Sequence, residues 1–183
     1  MKRPTREELE AAVTRTIPDL IAPDLQLLLV GINPGLYSAA IGHHFGRPGN
    51  RFWPALYASG LTPRLLSPYE EHELLGLGIG IVSLVDRASR AASDLTREEL
   101  IAGAEALEVK VRRYRPKWVA ILTIGLYRQA FRRPKAVIGR QPEDLGGARL
   151  WVLPHPSGLN AHFTPAMLAA SYAELRRAMQ DEE

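Results

Sequence analysis

Four short apolar runs, at 26–31, 80–85, 118–124 and 150–153, alternate with segments of helical periodicity, and this alternation most constrains the fold. Runs this short and this apolar suit strands buried on both faces, as in a parallel sheet covered by helices. The helix signals fall between them. Thr5 and Glu8 form a capping box for a helix from Arg6 to Val13, and Thr96 and Glu99 form another for a long helix ending before Pro116. Asn50 to Ser59 puts Phe52, Trp53, Leu56 and Tyr57 on one face and stops at Gly60. Shorter helices are expected over Glu70–Leu75 and Gly125–Phe131, and Thr164 with Pro165 opens a closing helix that runs to about Met179. The basic, Gly- and Pro-containing segment 132–148 reads as a surface loop. The predicted class is α/β: a three-layer α/β/α arrangement around a mostly parallel central sheet of about four strands. With no internal repeat, low-complexity tract or Pro/Ser linker, residues 1–183 are expected to form one domain.

Composition removes several kinds of chemistry. There is no cysteine, which excludes disulfides, thiolate nucleophiles and thiolate-bound metals or iron–sulfur clusters. No apolar run approaches the roughly 18 residues needed to span a bilayer, and the N-terminus leads into no apolar signal segment. The expectation is an intracellular, cytoplasmic protein with no membrane association. The net charge is only +3, but ten basic residues and no acidic one lie between Lys110 and Arg140. Such a stretch is either a phosphate-facing surface or a set of solvated helix faces.

The familiar nucleotide and metal motifs are missing. Gly76-Leu77-Gly78-Ile79-Gly80 has the wrong spacing for a dinucleotide loop and precedes a strand instead of following one. The five histidines form no H-E-x-x-H, so neither metal nor cofactor is expected. Ser157 lacks the flanking glycines of a nucleophile elbow. Two turns remain, each following a strand: Gly31-Ile32-Asn33-Pro34-Gly35 and His155-Pro156-Ser157-Gly158-Leu159-Asn160. Parallel strands put their C-terminal ends on one edge, so both turns can face one cleft. Phe45, set among glycines and histidines instead of in an apolar run, is free to stack on a flat ligand.

These segments resemble the mismatch-specific uracil-DNA glycosylases, relatives of the thymine-DNA glycosylases. Gly31 to Gly35 is similar to the family's G-I-N-P-G, Asn50-Arg51-Phe52-Trp53 to its N-R-F-W, and Leu84-Val85-Asp86-Arg87 to its L-V-D-R. Trp151 to Pro154 with Pro156 to Leu159 is similar to its second motif, and the motifs keep their order over roughly residues 25–179. The resemblance implies a base flipped out of DNA and cleaved from its sugar. It implies that Asn33 positions the attacking water, and that Ile32, Gly35, Ser38, Phe45 and Ser157 bind the base. It also implies that Leu159 fills the vacated stack, with Gly158 and Asn160 facing the widowed guanine. The implied substrate is double-stranded DNA with a U:G or T:G mismatch, and the protein is expected to be a nucleoid-associated monomer.

Two departures shape the chemistry. His155 stands where the family has asparagine, which makes the position similar to the classical uracil-DNA glycosylases, where a neutral imidazole donates to the uracil O2. It either supplies that donor here or packs against its turn. Ser83 and Ala161 replace two of the family's basic side chains, so some DNA contacts must come from elsewhere. Because a neutral amide orients water without accepting its proton, Asp94 is expected as a further catalytic residue that could supply the base, or else as a polar residue near a helix cap. No lysine accompanies either motif, which points to a monofunctional enzyme. Two other readings stay open: a broader uracil-DNA glycosylase acting on single strands or U:A pairs, and a non-catalytic damaged-DNA-binding module.

Overall fold

The computed structural model describes residues 3–182. Five strands form the central sheet: β1 (Leu27–Gly31), β2 (Ile79–Ser83), β3 (Trp118–Ile121), β4 (Gly139–Leu145) and β5 (Ala148–Val152). Their order is β2-β1-β3-β5-β4, and every pair is parallel except β4 with β5. The helices are α1 (Arg6–Ala11), α2 (Leu36–Ile41), α3 (Phe52–Ala58), α4 (Glu73–Gly76), α5 (Arg97–Tyr114), α6 (Ile124–Ala130) and α7 (Pro165–Asp181). Both expected capping boxes close, Thr5 with Glu8 and Thr96 with Glu99, and Thr164 caps α7 through the Met167 amide.

Strand geometry splits the core in two, because successive side chains point to opposite faces of the sheet. Leu27, Leu29, Ile79, Ile81, Trp118 and Trp151 pack with Phe52, Trp53 and Leu56 of α3 and with Leu168, Tyr172 and Leu175 of α7. Their neighbours Leu28, Val30, Val82, Val119, Leu150 and Val152 pack with Leu100, Leu107 and Val111 of α5 and with Leu126 and Tyr127 of α6. Each fully buried side chain of this size contributes about 1.5–3 kcal/mol. This double coverage explains why the four parallel strands read as unbroken apolar runs.

The fifth strand corrects the expectation for residues 132–148. Part of that segment is β4, an edge strand joined to β5 through Gly146 and Gly147. Both glycines have positive φ, +57° and +95°, the backbone that a two-residue hairpin turn demands. β4 escapes a sequence reading because an edge strand needs no apolar run. It carries Pro142 and shifts register between Arg140 and Asp144, and only Gln141 and Leu145 are buried in it.

Tyr172 is fully buried, and its hydroxyl has no hydrogen-bond partner among the described residues. Tyr172→Phe should therefore leave stability unchanged or raise it by on the order of 1 kcal/mol in urea denaturation. A clear loss would reveal a partner for the hydroxyl.

Candidate active site

The C-terminal ends of β1, β2, β3 and β5 share one edge of the sheet, and a cavity of about 200 Å³ opens there. The turn after β1 is tied to the loop after β2. Leu84 N–H donates to the Gly31 carbonyl (2.9 Å), Val85 N–H to Ile32 (2.9 Å) and Ser89 N–H to Pro34 (3.1 Å). Gly35 and Ser89 then form one isolated parallel bridge, so the pairing outlasts the strands.

This pairing fixes Asn33. Its Nδ2 donates to the Arg87 carbonyl at 2.9 Å and to Ser89 Oγ at 2.8 Å, and Ser89 Oγ donates onward to the Ala91 carbonyl at 2.7 Å. A carbonyl can only accept, so the amide orientation follows from its partners. Both amide hydrogens are occupied, and Oδ1 remains as an acceptor on a residue that lines the cavity. Such an oxygen can hold a water by one hydrogen and aim its lone pair, but it cannot take a proton.

Phe45 also lines the cavity, with a left-handed backbone (φ +51°) that a bulky residue rarely adopts. One ring face stacks on Phe52, with centroids 3.9 Å apart and planes at 19°. The two histidines just before Phe45 share a buried carboxylate. Glu71 is only 4 % exposed; its Oε2 accepts from the His44 amide and from His44 Nδ1, and its Oε1 from His43 Nδ1, each at 2.9 Å. Burial pushes the Glu71 carboxyl up, but hydrogen bonds from the ring and amide of His44 and from His43 outweigh it and leave the pKa below its ordinary value. An ionised carboxylate only accepts, so both Nδ1 atoms carry hydrogen. His44 Nε2 is then left buried without a partner, on a side chain that lines the cavity. Glu71, His44 and Ser89 are functional candidates that the sequence alone did not single out.

His155 sits at the mouth, its ring making no hydrogen bond among the described residues. Desolvation by the surrounding protein lowers its pKa below the ordinary histidine value, so the ring is neutral at neutral pH. The following turn projects Leu159, which is 80 % exposed. Arg51 braces this turn from behind: Nη1 donates to the carbonyls of Asn160 (3.2 Å) and Phe163 (2.7 Å), and Nη2 to that of Gly158 (3.1 Å). Gly158 packs so tightly that a Cβ there would lie 2.4 Å from the Gly49 carbonyl oxygen. The turn bearing Leu159 and the loop bearing Phe45 are thereby held against each other.

The remaining positions divide. Ile32, Gly35, Ser38 and Ser157 line the cavity. Ser38 Oγ accepts from the Gly46 amide (2.9 Å), and Ser157 Oγ from the Leu159 amide (3.2 Å). Asn160 spends its side chain inside its own turn, donating to the His155 carbonyl (3.0 Å) and accepting from the His162 amide (3.0 Å). Asp94 does not line the cavity. Its carboxylate accepts from the Ala91 amide at 3.0 Å and closes the 3-10 turn Ala92–Asp94, two residues before the Thr96 cap of α5. Arg87 pairs with Glu99 and not with Asp86; Arg87 and the Thr96 amide together hold the Glu99 carboxyl at about 2. Half of the basic stretch is paired: Lys110 with Asp19, Arg112 with Glu108, Arg115 with Asp24, Arg133 with Glu143 and Arg140 with Asp144.

The sequence pattern of the Uracil DNA glycosylase superfamily matches residues 18–176. The chain belongs to this superfamily. A solved structure with the same fold is that of a protein from Methanosarcina acetivorans, provisionally named a uracil DNA glycosylase. It is 20 % identical, with a TM-score of 0.58, and the match covers 89 % of this chain and 98 % of that one. Membership in the uracil DNA glycosylase superfamily brings hydrolase chemistry, a DNA substrate and a role in DNA repair. No helix among the described residues is long and apolar enough to cross a membrane.

Arg51 should be the main brace of this glycosylase's 155–163 turn. Arg51→Ala is expected to destabilise the protein by on the order of 2 kcal/mol and to speed amide hydrogen exchange in 158–163 well beyond the rest of the chain. Uniform exchange across both regions would contradict that role.

Proposed function

We propose that this glycosylase removes uracil opposite guanine in duplex DNA, with thymine and an etheno-modified cytosine as further candidates, and leaves an abasic site. The observation that carries the reading is Asn33: an amide with both hydrogens committed, on the wall of a cavity that Phe45 also lines. Asn33 orients water toward the C1′ of a sugar that has already lost most of its bond to the base; the base departs as an anion and takes up the proton that the attacking water gives up. His155, neutral at working pH, donates a hydrogen bond as that charge develops. Leu159, standing free of the surface, fills the stack that the flipped base vacates. No lysine lines the cavity among the described residues, which supports a monofunctional hydrolysis. The protein acts as a single-domain monomer on nucleoid DNA.

Two observations favour a second reading. Asn160, the side chain expected to face the widowed guanine, is committed within its own turn, and His155 replaces the family's asparagine. Both fit a broader uracil-DNA glycosylase that accepts single strands or U:A pairs.

Single-turnover release of free base from U:G, U:A, T:G and single-stranded oligonucleotides separates the readings. Release restricted to U:G and T:G supports mismatch specificity, equal release from all uracil substrates supports the broader enzyme, and tight binding with no release supports a non-catalytic module. Asn33→Ala should lower the U:G rate by two orders of magnitude or more, in line with the loss of a residue that organises the reacting water. An unchanged rate removes Asn33 from the mechanism.

The pH dependence follows from the lowered pKa of His155. The ring stays neutral as pH falls through about 6.5, the ordinary histidine value, and protonates only at more acidic pH. The single-turnover rate should therefore hold through that range and decline below it. His155→Asn should both slow cleavage and abolish this acidic limb; a limb that survives the substitution belongs to another group.

A further inference from the structure

A second cavity, of about 600 Å³, adjoins the first and shares with it Gly35, Ser38, Arg47 and Arg90. Its remaining walls come from α1 and α2, including Leu9, Leu36 and the partly exposed ring of Tyr37. The shared wall is unusual in its charge. Two other arginines near the site are engaged, Arg51 with three carbonyls and Arg87 with Glu99. Arg47 and Arg90 are exposed, and neither guanidinium has an ion pair or hydrogen bond among the described residues. The one acidic residue lining the second cavity, Glu10, is already paired with Arg6 at 2.9 Å. Two unspent planar cations therefore stand between a base-sized cavity and a larger one with an aromatic wall.

That arrangement matches the chemistry of a dinucleotide step. A base held against Phe45 leaves its strand to exit past one wall of the first cavity, and the wall shared with the second cavity bears Arg47 and Arg90. Guanidinium forks bind phosphate oxygens in pairs, and an aromatic ring beyond them provides a stacking surface for any base. We propose that the second cavity is a subsite for the nucleotide adjoining the flipped one on the same strand, with its base against Tyr37 and the linking phosphodiester on Arg47 and Arg90. This rests on the broader glycosylase reading above, the one that accepts single strands, and deepens it; uracil release from U:G duplex with no binding of the single strand overturns the subsite. A neighbour seated there has left the helical stack too, so the subsite favours strands that are already single or locally melted.

The test uses single-stranded oligonucleotides with one deoxyuridine, in which the phosphate on its 5′ or its 3′ side is replaced by an uncharged methylphosphonate. For the wild type, one of the two replacements should weaken binding by roughly tenfold, a loss typical of a charged hydrogen bond. The double variant Arg47→Gln/Arg90→Gln should bind the natural oligonucleotide with a similar loss, show a salt dependence shallower by about one unit, and be indifferent to that same methylphosphonate. Removing the neighbouring base should weaken binding by the wild type but not by Tyr37→Ala. Thermal unfolding of each variant near the wild-type temperature keeps the comparison valid. Should the wild type release uracil yet ignore both methylphosphonates, or should losses from variant and methylphosphonate simply add, the subsite is overturned while the glycosylase reading stands. Absence of base release from any uracil substrate instead defeats the glycosylase reading itself.

Discussion

Everything at the candidate site hangs on the pairing that β1 continues past its own end. β1 is central, hydrogen-bonded to β2 on one side and β3 on the other, and every one of its residues is buried. The turn that follows keeps pairing with the loop after β2 through the carbonyls of Gly31, Ile32 and Pro34. Asn33 lies within this zipped segment, so its amide is oriented by backbone that the sheet itself has positioned. Groups held this way need little reorganisation when substrate arrives.

A second layer of constraint comes from across the cavity. Phe45 is backed by Phe52 of α3, while Arg51, the residue before Phe52, holds three carbonyls of the turn carrying Leu159. One short stretch of chain thus braces both the ring that would receive a base and the leucine that would replace it. The close approach of Gly158 to Gly49 ties the two loops directly. Flipping and stacking would then be performed by parts of one rigid assembly.

The four parallel strands were legible because burial on both faces leaves unbroken apolar runs, and Asn33, Phe45 and Leu159 stand out because each breaks the local pattern. What the sequence hid depends on distant partners. Ser89 becomes functional only where its hydroxyl meets Asn33, which lies 56 residues away. Glu71 looks like a solvent-facing acid in an acidic run until His43 and His44 close over it, and the carbonyls that Arg51 holds lie 107 to 112 residues along the chain. Asp94 lies beside the readable Thr96–Glu99 capping signal, and its carboxylate meets the Ala91 amide only because the chain turns between them. The placement of Arg47 and Arg90 on one wall had no local signature at all.

The polar edge strand β4 has a consequence beyond its own hairpin. A sheet exposes backbone donors and acceptors along its outermost strands, and these can recruit a strand from another molecule. At one end of this sheet, Leu20 bridges Ile81 of β2 and covers part of that edge. At the other, β4 offers an incoming chain Pro142, a shifted register and the exposed charges of Arg140 and Asp144. An edge built this way is poorly suited to templating the protein's own aggregation.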